Sequence, residues 1–194
     1  MEEQYITGDQ VKKLVGFKPN NEQLYQNAFV HKSACKALNV ESNERLEFIG
    51  DSIISAIIAE YLYKKYPNEN EGFLTRVRTK LVSNTNLSKL GKDLGFDEYV
   101  IMNERAMNKG WNTNPRILED CFESFIGALY LDKGFDFSRN WILSTLNVED
   151  NEEETLKDTN YKDILMKHAQ TKGQEFRPEY KIFKEDGPDH EKLF

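Results

Sequence analysis

The sequence predicts a mainly α protein: an all-helical domain followed by the start of a smaller unit built from one helix and strands. Three observations carry this expectation. Apolar residues recur at steps of three and four as far as about residue 147, which is the spacing of one helix face. Asn, Pro and Gly stand where helices should begin and end. After a run of acids the apolar period shortens to that of strands. The length of 194 residues suits one full domain of roughly 100–200 residues with a small second unit.

The elements follow in order. Asp9 to Val15 is a short amphipathic helix. Asn21 to Val30 places Leu24, Ala28 and Phe29 on one face. Asn43 is the expected N-cap of a long helix carrying Leu46, Ile49, Ile53, Ile54, Ile57, Ile58, Tyr61 and Leu62. Pro67 stops it after about six turns. Leu74, Val77, Leu81 and Val82 mark the next helix; Leu87, Leu90 and Leu94 mark another, closed by Gly95. Met102 to Pro115 reads as a loop. Pro115 then suits the first turn of a helix to about Leu131, with Gly134 beyond its end. Trp141, Leu143 and Leu146 belong to a last helix of this domain, residues 1–148.

Residues 149–158 read as an acidic linker, and 159–194 as the second unit. There Tyr161, Ile164, Leu165 and Ala169 space a helix ending near Gly173. Tyr180, Ile182 and Phe183 read as a strand, and His190 to Phe194 as the start of another. One helix with so little strand cannot bury a sheet face, so the expectation is a chain that stops inside its second domain.

The net charge is −7. Residues 1–148 carry 18 basic and 20 acidic groups, whereas residues 149–163 carry 2 and 7. The excess therefore sits in the linker, and the overall acidity says little against a nucleic-acid partner. No apolar run approaches the roughly 18 residues of a membrane span, and no secretory signal opens the chain, so no membrane partner is expected. Cytoplasmic residence is the expectation, with a nuclear one left open. Cys35 and Cys121 make no disulfide framework and read as two buried thiols.

The chemistry lies in the carboxylates. Glu44, Glu47 and Asp51 follow at steps of three and four and share a face of the long helix. Asp120 and Glu123 share a face of the later one, with Glu119 beside them. Gly50 and Gly127 would let the two helices approach closely. Crowded carboxylates between helices are costly unless a cation neutralises them. Hard divalent ions take oxygen ligands, and two such ions suit phosphodiester displacement. Solvent-facing acids on amphipathic helices are the alternative that spacing alone leaves open.

The strings themselves go further. Asn43-Glu44-Arg45-Leu46-Glu47-Phe48-Ile49-Gly50-Asp51-Ser52 resembles the signature segment of ribonuclease III, the double-stranded-RNA endonuclease family. Ala28-Phe29-Val30-His31-Lys32-Ser33, Glu71-Gly72-Phe73-Leu74-Thr75 with Lys80-Leu81-Val82-Ser83-Asn84, and the stretch from Leu118 to Asp132 resemble further family segments in the right order. Asn160 to Leu165 through Gly187 to His190 is similar to the start of an α-β-β-β-α double-stranded-RNA-binding domain, without its third strand and second helix.

The resemblance implies an all-helical ribonuclease III catalytic domain. It implies hydrolysis of double-stranded RNA by water activated by Mg²⁺, with Mn²⁺ a substitute, leaving 5′-phosphate and 3′-hydroxyl ends with short 3′ overhangs. Glu47, Asp51, Asp120 and Glu123 would be both catalytic and metal-binding. Glu44 and Glu71 match positions near the cleft, Glu44 with either a helix-capping or an RNA-side role. Arg76, Arg78 and Lys80 are candidate backbone-phosphate contacts, or a solvated face. Phe48 would insert into a second subunit, giving a homodimer; core packing is the alternative. His31 near a helix end reads as structural. Gln170 and His190 would contact RNA from the second domain. The segment from Glu104 to Arg116 departs from the family in Trp111 and Pro115. Competing readings are a non-catalytic RNA-binding scaffold of the same fold, and a protein that sequesters duplexes to suppress an RNA-based defence.

Overall fold

The computed structural model describes residues 5–147 and, beyond them, residues 165, 166, 169 and 171. The chain divides into two compact units, Met1–Thr155 and Leu156–Phe194. The first is built from helices: α1 Gly8–Val15, α2 Glu22–Asn27, α3 Lys32–Leu38, α4 Glu44–Lys65, α5 Glu71–Leu81, α6 Asn84–Asp93, α7 Glu104–Asn108, α8 Pro115–Lys133 and α9 Phe135–Leu146. Short 3-10 turns sit at Phe96–Glu98 and Trp111–Thr113. Among the described residues the β pairing is a single isolated bridge, Val30 to Ile101, and no helix is long and apolar enough to cross a membrane. In the second unit Leu165, Met166, Ala169 and Thr171 are helical. The expected strands there, and Gln170 and His190, lie outside the described residues.

Local chemistry explains most boundaries. Thr7 and Gln10 form a capping box at α1. Asn70, Ser83 and Asn114 each accept a backbone N–H at the start of α5, α6 and α8. Pro115 takes the first position of α8, where its missing N–H costs nothing, and the N–H of Gly134 closes that helix on Tyr130.

Four expectations change. Asn43 stands at the N-cap of α4, but its side chain makes no capping bond. Its carbonyl instead accepts from the N–H groups of Leu46 and Glu47, each at 2.9 Å, and from Ser124 Oγ at 3.3 Å. The helix expected to run to Val30 stops at Asn27. Ile101 N–H donates to Phe29 and His31 N–H to Ile101, both at 2.9 Å, so long-range pairing takes these groups from the helix ladder. The segment expected as a loop after Met102 holds α7 and a 3-10 turn, started by Asn103 accepting from Ala106 N–H at 2.8 Å. Of the two thiols, Cys121 is buried as expected, but Cys35 is only half-buried.

Helix α8 runs through the centre. It packs along α4 and α6 and touches α2 and α9. Phe122, Phe125, Ile126, Ala128 and Leu129 are fully buried. Such apolar coverage around most of its circumference is what a central helix requires. Phe125 meets Tyr25, Phe29, Phe96 and Trp141 with ring centroids 5.1–6.1 Å apart. Each fully buried large side chain contributes about 1.5–3 kcal/mol. This core holds α8 rigidly against α4, which fixes the functional face.

Candidate active site

The α4–α8 crossing is unusually close because two glycines lie in it. A Cβ added at Gly50 would stand 1.8 Å from the carbonyl oxygen of Glu123, and one at Gly127 would stand 2.2 Å from the carbonyl oxygen of Leu46. The approach anticipated at Gly50 and Gly127 is therefore backbone on backbone. Acids at and beside these contacts are brought together as a consequence. Glu47 and Asp51 come from α4, Asp120 and Glu123 from α8, and all four line one cavity of about 640 Å³.

The cavity is polarised. Glu44, His31, Lys32 and Arg116 also line it, with Phe48 at its edge. Lys32 Nζ pairs with Glu44 Oε1 at 3.2 Å, and Ser42 Oγ donates to Glu44 Oε2 at 3.0 Å. Those contacts hold the Glu44 carboxyl below its ordinary range, the Ser42 bond first. His31 caps α3: its Nδ1 accepts from Ser33 N–H at 3.2 Å. Burial, then Lys32, lowers its pKa. The Ser33 bond makes it a helix cap rather than a candidate base.

The acids behave in the opposite way. Burial raises the carboxyls of Glu47 and Asp120, and neighbouring acids raise Glu47 further. Arg116 works against the rise at Asp120. Glu123 is pushed up to about 8 by burial and by Asp51, Glu119, Glu47 and Asp120 together. A carboxyl raised this far by burial and like charges is one the fold holds in place for another purpose, because the arrangement opposes ionisation.

The residues fit a divalent ion in donor chemistry. They supply carboxylate oxygens from facing helices, in a cavity open to water. They do not form a closed cage: among the described residues, no three His, Cys, Asp or Glu side chains are gathered as ready ligands. Mg²⁺ seldom needs such a cage, since it is usually held by one or two carboxylates with waters and phosphate oxygens completing the shell.

Other candidates fall elsewhere. Glu71 sits in the first turn of α5, where its Oε1 accepts from Thr75 Oγ1 at 2.8 Å. Arg76, Arg78 and Lys80 are also on α5. None of these four lines the acid cavity. Phe48 is 79% exposed, so core packing is not its role in the single chain. Arg116 was not among the candidates. Its position four residues before Asp120, hence on the same helix face, was the available signal. Lys32 reaches the site from another helix, and no spacing rule points to it.

The ribonuclease-III-like family model matches residues 21–149. A protein of Paramecium bursaria Chlorella virus 1 is 40% identical over 183 residues, covering 94% of this chain and 66% of that protein. Ribonuclease 3 of Streptococcus pyogenes is 38% identical over 180 residues, covering 90% of this chain and 77% of the relative. The chain thus spans just under two thirds of the viral relative's length. Among solved structures, the nuclease domain of ribonuclease III from Campylobacter jejuni matches with a TM-score of 0.68 and 30% identity. That match covers 73% of this chain and 96% of the other, whose study concerns structural flexibility in the region involved in dimer formation.

Proposed function

This chain belongs to the ribonuclease-III-like family, and on that premise we propose that it is a divalent-metal-dependent endoribonuclease that cuts double-stranded RNA. The observation that carries the reading is the convergence of Glu47, Asp51, Asp120 and Glu123 on one cavity, with Glu123 raised to about 8.

In this reading those four carboxylates hold Mg²⁺, or Mn²⁺ in its place. When bound, the ion supplies a lower pKa for water and offsets charge that builds on the phosphorus during displacement. The chain's own residues do the rest. Gly50 and Gly127 set the spacing between the two pairs of acids. Lys32 pairs with Glu44 in the wall of the same cavity. Arg116 brings positive charge to the rim, suited to a backbone phosphate. The products would carry 5′-phosphate and 3′-hydroxyl ends.

A homodimer belongs to the same reading. Exposed Phe48 lines a second, largely apolar cavity of about 680 Å³ together with Leu24, Leu46, Ile49 and Leu131. An exposed aromatic next to an apolar hollow on the same face suits an isologous pair, each copy filling the other. Two sites in such a pair account for short 3′ overhangs.

The test is incubation of the purified protein with long duplex RNA and with single-stranded RNA, in Mg²⁺ and in EDTA. The reading expects short duplex products in Mg²⁺ alone. Equal cutting in EDTA would overturn the metal-dependent reading, and binding of duplex without cutting in Mg²⁺ would favour the scaffold reading.

A further inference from the structure

A cavity of about 780 Å³ adjoins the acid site. The two share Glu47, Arg116, Asp120 and Glu123, so one passes into the other around α8. Its far wall is Asn84, Thr85 and Ser88 from α6. Glu119 lines this second cavity but not the first. It lies one turn before Glu123, a shift of about 6 Å along the axis at 1.5 Å per residue.

Asn84 Nδ2 donates to Glu119 Oε2 at 2.8 Å, which orients the carboxylate. Among the described residues, Oε1 accepts no hydrogen bond alongside it. The acid site thus continues into a pocket with one oriented anionic acceptor and amide and hydroxyl groups around it. A carboxylate repels phosphate, so the wall beside Glu119 suits a donor. On a strand whose phosphate lies at the acids, the nearest donor along the backbone is the 2′-hydroxyl of a flanking ribose. That group distinguishes RNA from DNA, and a carboxylate accepts from it in a charge-assisted bond.

We infer that Glu119, oriented by Asn84, is a specificity-determining residue that accepts a hydrogen bond from the 2′-hydroxyl of a nucleotide flanking the cut. The inference rests on the nuclease reading above. It adds ribose recognition to it, at a residue outside the metal-holding quartet. A site built around a hydroxyl rejects the analogue lacking it, because its own acceptor is left unpaired.

The experiment measures cleavage by the full chain on a duplex RNA and on duplexes carrying one 2′-deoxy residue, scanned across the nucleotides around the cut. For the wild type, one substitution should slow cleavage by about tenfold. Glu119→Ala should cut that duplex and the all-ribose one at equal rates. Glu119→Gln, which keeps a neutral acceptor and guards against a folding defect in the alanine variant, should show a smaller difference. Three results would overturn the inference while leaving the nuclease reading intact. One is a wild type indifferent to every 2′-deoxy residue. Another is a Glu119→Ala enzyme that keeps the wild-type difference. The third is a Glu119→Ala enzyme slowed alike on both duplexes and rescued by more Mg²⁺, which would place the side chain among the ion-holding acids. A wild type that cuts no duplex overturns both.

Discussion

A methyl group on Gly50 would stand 1.8 Å from the carbonyl oxygen of Glu123. The closest point of the α4–α8 crossing is thus the backbone of an acid of the quartet. A backbone oxygen cannot turn aside as a side chain can. In an open helix, Gly→Ala gains about 1 kcal/mol. Here the clash outweighs that gain. Gly50→Ala should lose about 1–3 kcal/mol in urea denaturation. It should also lose cleavage beyond what the unfolded fraction explains, because separating the helices moves Glu123.

Glu123→Gln removes a charge while keeping shape and size. It should reduce duplex cleavage in Mg²⁺ by at least about a hundredfold, the scale on which groups supporting a metal act. Gel-shift binding of the duplex should stay near wild type. Loss of binding in step with cleavage would mean that Glu123 holds RNA or the fold rather than the ion.

The Glu123 carboxyl also fixes a pH dependence. Unfolded, it releases its proton near 4.5; folded and free of metal, it does so near 8. Between these values the native state holds the extra proton, so stability falls as pH rises. In EDTA the Tm should therefore drop from pH 5 to pH 8, and Glu123→Gln should reduce the drop. Mg²⁺ should raise the wild-type Tm more at pH 8 than at pH 5. A Tm in EDTA that rises over this interval by the same amount in both proteins would remove Glu123 from the account.

Phe48 is the expected anchor of the dimer. Phe48→Ala should weaken self-association in sedimentation equilibrium by about 2 kcal/mol or more, as buried aromatic anchors do. Thermal stability of the single chain should change little, because the ring is 79% exposed there. A monomeric wild type at micromolar concentration would remove the dimer from the proposal.

The parts of this site that were legible in the sequence are those governed by helix periodicity. Steps of three and four put Glu47 with Asp51 and Asp120 with Glu123, and the small residues Gly50 and Gly127 marked the crossing. What escaped was set by contacts distant in sequence. Asn43 looks like a cap, but its carbonyl, held by Ser124 from α8, takes the structural role. Val30 fits a helix face, but pairing around Ile101 ends the helix first. Lys32, at the start of α3, meets Glu44, at the start of α4, across twelve residues. Asn84 meets Glu119 across 35 residues, which no local pattern signals.

Uptake of Mn²⁺ by the metal-free protein, followed by electron paramagnetic resonance at pH 8, tests the central claim most directly. The account predicts saturable uptake by the wild type, competed by Mg²⁺ and lost when Asp120→Asn and Glu123→Gln are combined in a folded protein. Absence of uptake at millimolar Mn²⁺, or equal uptake by the double variant, would contradict it.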